Sequence, residues 1–106
     1  MCSDRNERVA IVIGASMGGL LAARALADHY GQVTVLERDA LPPPGENRKG
    51  VPQGFHAHGL LARGREVLEQ LFPGLTAAMV AQGAEPGDVG ETVRWFHQGA
   101  YHRAAA

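Results

Sequence analysis

The chain is 106 residues long, carries 10 Lys and Arg against 11 Asp and Glu, and has a formal net charge of −1 at pH 7. That length allows one small domain or part of a larger one, and the balanced charge gives no electrostatic reason to expect nucleic acid or an anionic membrane as partner. A hydrophobic fraction of 45% excludes wholesale disorder, and the lone Cys2 excludes an intrachain disulfide, so a reducing cytoplasm is the simplest setting.

Residues 1–7 read as a polar leader. Arg5 and Arg8 precede an apolar stretch over residues 9–23, and Ala25-Leu26-Ala27 could pass for a signal-peptidase site. Glu7 spoils the basic region that such a signal needs. Arg24 sits just before the cleavage point, and Gly14, Gly18 and Gly19 interrupt the apolar helix. The stretch is also shorter than the ~20 residues of a membrane span. A soluble cytoplasmic protein with no membrane span is expected.

Val9-Ala10-Ile11-Val12-Ile13 is a continuous apolar, largely β-branched run, the pattern of a strand buried on both faces of a parallel sheet. A turn over residues 14–19 follows, then a helix from Met17 to about Tyr30. Arg24 and Asp28 mark its solvent stripe, and Gly31 is expected to end it. Residues 33–36 form a second strand. Pro42-Pro43-Pro44-Gly45 can propagate neither helix nor central strand, so residues 39–54 are a loop. Apolar residues at Leu60, Leu61, Val67, Leu68, Leu71 and Phe72 recur with a period near 3.6 and predict a helix, which Pro73-Gly74 stops. A weaker helix covers 75–82. Residues 92–97 are expected as a strand that buries Val93, Trp95 and Phe96.

The order strand, Gly14-Ala15-Ser16-Met17-Gly18-Gly19, helix, strand, acid gives the turn its meaning. Gly14 permits a sharp turn at the strand's end, and Gly19 permits close helix packing. The unpaired N–H groups at the helix start lie at the positive end of its dipole and suit a pyrophosphate. Glu37 follows Gly19 by 18 residues, at the end of the second strand. Its carboxylate is placed to accept from adenosine ribose hydroxyls, and its charge argues against a 2′-phosphate and hence against NADP. Ser16 stands where the pattern has its second glycine; its Cβ narrows the gap, while its hydroxyl can bond a phosphate oxygen. The bland alternative is a glycine turn that binds nothing.

With these motifs, residues 12–20 together with Val35-Leu36-Glu37-Arg38-Asp39 resemble the amino-terminal FAD fingerprint of flavoprotein monooxygenases of the p-hydroxybenzoate hydroxylase type. The segment Arg48-Lys49-Gly50-Val51-Pro52-Gln53-Gly54-Phe55-His56-Ala57-His58-Gly59-Leu60 resembles the subgroup that includes polyether-type and squalene-type epoxidases. The resemblance, which runs over about residues 9–96, implies an α/β, Rossmann-like FAD-binding βαβ unit: a parallel sheet with flanking helices, incomplete in this chain. It implies FAD as cofactor, NAD(P)H as electron donor, and hydroxylation or epoxidation of an apolar substrate with O₂. Gly14, Ser16, Met17, Gly18, Gly19, Glu37 and Arg38 form the adenosine and pyrophosphate set. Arg48 is the candidate contact to the phosphates or flavin side, and Gln53 and His56 lie near the flavin if the loop folds back over it.

His56 and His58 also permit a metal reading, but no cysteine or carboxylate stands near in sequence to complete a site, so no metal is expected. In a third reading His58 caps the following helix and His56 packs in the loop. His29, His97 and His102 show no constellation. Gly87-Asp88 superficially matches a pair the family uses at the FAD ribityl region, but it comes too early in the chain to take that role. The family's substrate-binding region is absent, so residues 8–106 are expected to be a partial FAD-binding domain. Two other readings stay open: an NAD-binding Rossmann module without flavin chemistry, and a noncatalytic remnant or interaction fragment.

Overall fold

The computed structural model describes residues 4–88 and 90–101. Cys2, His102 and residues 103–106 lie outside them. The chain divides into two compact units, residues 1–71 and 72–106.

In the first unit, strand β1 (Val9–Ile13) leads through helix α1 (Met17–Ala27) to strand β2 (Gln32–Leu36). The strands are parallel, in register from Val9 opposite Gln32 to Ile13 opposite Leu36. Parallel neighbours cannot be joined by a tight turn, and α1 is the crossover that brings the chain back. The expected α/β arrangement is therefore present as a two-stranded parallel sheet with helices. The β-branched residues of both strands suit an extended backbone.

Burial along β1 differs from the expectation of two covered faces. Val12 is buried, whereas Val9, Ile11 and Ile13 are exposed, Ile13 to 87%. Alternate side chains leave opposite faces of a strand, and α1 contacts the strands. The run is thus covered on one side among the described residues.

Helix α1 is shorter than expected. The N–H groups of His29 and Tyr30 both donate to the Leu26 carbonyl, at 2.9 and 3.0 Å, and close the helix three residues early. Gly31 serves the next strand instead of capping the helix. Its N–H donates to the Arg8 carbonyl at 3.0 Å, and a Cβ there would lie 2.6 Å from the Asn6 carbonyl oxygen. The Arg8 guanidinium sits 5.4 Å from the centre of the Tyr30 ring and ties the same two segments.

Helix α2 (Ala62–Leu71) starts two residues later than its periodicity suggests, leaving Leu60 and Leu61 exposed ahead of it. Leu68 is its buried residue. Arg24 joins α1 to α2: its Nε donates to the Leu71 carbonyl at 2.8 Å while Nη1 pairs with Asp28 at 3.0 Å.

The second unit carries helix α3 (Leu75–Ala81) and a hairpin of β3 (Phe96–His97) and β4 (Ala100–Tyr101). The expected strand over 92–97 is corrected here. Residues 92 and 93 are held in a turn by the Asp88 carbonyl, which accepts from their N–H groups at 3.0 and 2.9 Å. The chain then reverses at Gln98 and Gly99, whose φ values of 50° and 81° define a two-residue hairpin loop. Val93, Trp95 and Phe96 are exposed and not buried. Phe96 meets Tyr101 edge to face, with ring centres 5.1 Å apart. No described helix is long and apolar enough to cross a membrane.

Candidate functional site

The turn after β1 and the end of β2 meet because the strands are parallel and in register. Gly14 continues the pairing, its N–H donating to the Leu36 carbonyl at 2.7 Å, and then turns with φ +98°. Ser16 is the N-cap of α1, with no capping bond from its own side chain. Met17 opens the helix and is exposed. Gly18 has open space where a Cβ would stand, so nothing in the chain itself crowds that side of the turn. At Gly19, by contrast, a Cβ would fall on the carbonyl oxygen of Gly14. The two glycines thus do different things: Gly19 permits packing within the chain, and Gly18 leaves room beside it.

Glu37 reaches back under this turn. Its Oε2 accepts from the Ala15 N–H at 2.7 Å and from Arg48 Nη2 at 2.8 Å, while Oε1 accepts from the Asp39 N–H at 3.1 Å. Nη1 of Arg48 donates to the Ala15 carbonyl at 2.6 Å. Both polar groups of the buried Ala15 are therefore satisfied by one ion pair. The side chains of Glu37 and Arg48 are 16% and 24% exposed, a largely covered pair. The N–H groups of Asp39 and Ala15, followed by the Arg48 guanidinium, lower the Glu37 carboxyl from 4.5 to about 2, against an opposing effect of burial.

An open groove of about 320 Å³ beside the turn is lined by Ala15, Leu20, Leu41, Pro42–Pro44 and Arg48. Its volume is that of a small ligand pocket. The proline run, read from sequence only as a loop, supplies part of this lining.

The remaining expected residues are not gathered here. Arg38 is 89% exposed and pairs with Asp39 at 3.4 Å. Gln53 lies in a short 3-10 turn, Pro52–Phe55, with His56 just after it, and their described hydrogen bonds are local. The His58 ring Nδ1 lies 2.7 Å from the His56 carbonyl oxygen. Among the described residues no three His, Cys, Asp or Glu side chains gather as a metal set. Gly87-Asp88 builds the turn of the second unit, with the Thr92 hydroxyl accepting from the Asp88 N–H at 2.7 Å. Sequence reasoning missed Ala15, which no residue type marks as special. It also missed the bond from Arg48 to Glu37, since no periodicity relates a loop arginine to a strand-end acid.

Glu37 was expected to repel a 2′-phosphate by its charge, but Arg48 offsets that charge at 2.8 Å.

No family model matches the chain. Over 74 residues it is 57% identical to protein Rv3254 of Mycobacterium tuberculosis, a match covering 70% of this chain and 16% of that protein. It is 40% identical over 67 residues to the tRNA 5-methylaminomethyl-2-thiouridine biosynthesis bifunctional protein MnmC of Pseudomonas entomophila, covering 63% of this chain and 10% of the other. The protein of the same name from Pseudomonas syringae is 38% identical over 68 residues, covering 64% and 10%. The chain thus spans 10–16% of the length of these curated relatives.

Proposed function

We propose that this chain is the Rossmann-like, FAD-binding part of a flavin-dependent oxidoreductase, and that the complete enzyme is a monooxygenase acting on an apolar substrate with O₂ and NAD(P)H. The observation that carries the reading is the meeting of the glycine turn and Glu37 at the ends of two parallel strands, joined by the 2.7 Å bond from Ala15 to the carboxylate. In this arrangement the free N–H groups at the start of α1 hold the pyrophosphate, with the open side of Gly18 admitting it. The uncapped Ser16 hydroxyl is free to donate to a phosphate oxygen. Glu37 holds the adenosine ribose. Its Oε2 has both acceptor directions in use and Oε1 has one, which leaves one direction for a ribose hydroxyl.

Bound FAD supplies the redox chemistry, and the part of this chain is to bind and orient its adenosine half. Arg48 belongs to the proposed site as a support of the turn, and Gln53 and His56 as candidates for the flavin side.

Calorimetric titration of the 106-residue chain with FAD and with NAD tests this. FAD binding that is lost in Gly18→Val and weakened in Glu37→Ala is the expected result. Tight NAD binding without FAD binding would replace the flavin reading with a nicotinamide module, and binding of neither would leave an interaction fragment.

A further inference from the structure

The Arg48 guanidinium lies beside the turn where a phosphate would sit, which invites the view that it is a phosphate ligand. Its bonds say otherwise. One end donates to the Ala15 carbonyl at 2.6 Å and the other to Glu37 Oε2 at 2.8 Å. These are two-point contacts of the planar fork, which a single ammonium cannot reproduce. The same Oε2 holds the Ala15 N–H at 2.7 Å, so guanidinium, carboxylate and residue 15 close a ring around the turn. Moving Arg48 to a phosphate would strip the buried Ala15 of its acceptor's partner and take the cation from a largely covered carboxylate. Unmaking such contacts costs more than forming them gains.

We infer that Arg48 is a positioning residue, acting on an adenine nucleotide through Glu37 and not by touching the ligand's phosphates. This rests on the nucleotide reading above. Arg48 fixes which acceptor direction of Glu37 remains for the ribose, a group that adenosine, AMP and ADP share. Ligands that share a ribose and differ in phosphate are therefore affected alike by its loss.

The test compares adenosine, AMP and ADP binding to the 106-residue chain and to Arg48→Ala, Arg48→Lys and Glu37→Gln, by NMR titration of backbone amides. Arg48→Ala is expected to weaken all three ligands by the same factor, about tenfold for the loss of one well-made charged contact. Arg48→Lys keeps the charge and is expected to restore little, and Arg48→Ala combined with Glu37→Gln should lose little more than either alone. A loss that grows from adenosine to ADP, or recovery of ADP binding alone in Arg48→Lys, would overturn the inference in favour of a direct phosphate contact.

A ligand-free measurement separates this from failure of the nucleotide reading. Ala15 amide hydrogen exchange should quicken in Arg48→Ala while that of Ile11 in β1 is unchanged. Unaltered exchange at Ala15 overturns the positioning role even if nucleotides bind. Quickened Ala15 exchange in Arg48→Ala, with a wild-type chain that binds none of the three ligands, retains the clamp and overturns its use on a nucleotide.

Discussion

At Gly19 the margin is set by a hydrogen atom. A Cβ there would occupy the place of the Gly14 carbonyl oxygen, and the clash is with backbone, which cannot swing aside as a side chain can. Gly19→Ala should therefore cost about 3 kcal/mol or more, read as a fall in the denaturant midpoint. Gly18→Ala, with open space at its Cβ, should leave stability within about 1 kcal/mol of the parent, the cost of a mild propensity change. A similar loss in both would refute the division of labour between them. Glu37 makes a second prediction, in pH. Its carboxyl is lowered from 4.5 to about 2, so the stability it contributes is complete above 4.5 and is lost as pH falls toward about 2. In Glu37→Gln that acid-limb loss should be absent from a plot of stability against pH over the same window, on top of a lower plateau at neutral pH. An unchanged acid limb would mean that other carboxylates govern it.

Among the elements, the contact of α1 with α2 turns on Arg24. Its Nε bond to the Leu71 carbonyl is partly covered, whereas its partner Asp28 is 63% exposed. Arg24→Ala should cost about 1–2 kcal/mol and Asp28→Ala about 0.5 kcal/mol or less, since an exposed ion pair contributes little. Equal losses in thermal denaturation would make the ion pair, not the bond to the helix end, the source. Arg24 and Asp28 show how far sequence carries at this scale. Their spacing revealed a shared helix face, but the separation of 47 positions between Arg24 and Leu71 hides a contact that only the fold creates. The parallel β–α–β order, the glycine turn and Glu37 were legible because each depends on local periodicity or a fixed spacing. The Gln98-Gly99 hairpin was not, since Gln is a weak signal for the positive φ that it adopts. The early end of α1 was equally hidden, because the Leu26 carbonyl takes two donors and removes the need for a glycine cap.

For the molecule as a whole, the uncovered side of the parallel sheet matters most. Val9, Ile11 and Ile13 form an exposed apolar row in a structure whose buried set, among the described residues, is Val12, Ala15 and Leu68. Such a row favours self-association. Ile11→Lys with Ile13→Thr should lower the sedimentation coefficient of concentrated protein while leaving the far-ultraviolet circular dichroism spectrum in place. Unchanged sedimentation would locate any association elsewhere. The ring around Ala15 has its own consequence, one of timing. Its donor finds a partner 22 residues away and its acceptor a partner 33 residues away, across a strand end and a proline-rich loop. Neither local helix formation nor strand pairing alone can complete it, and each loop closure must be met first. We expect the glycine turn to be the last part of the first unit to lock during folding, its Ala15 amide gaining protection after Ile11 in pulse-labelling. A strand can pair before the loop has found its place, but the turn must wait for both.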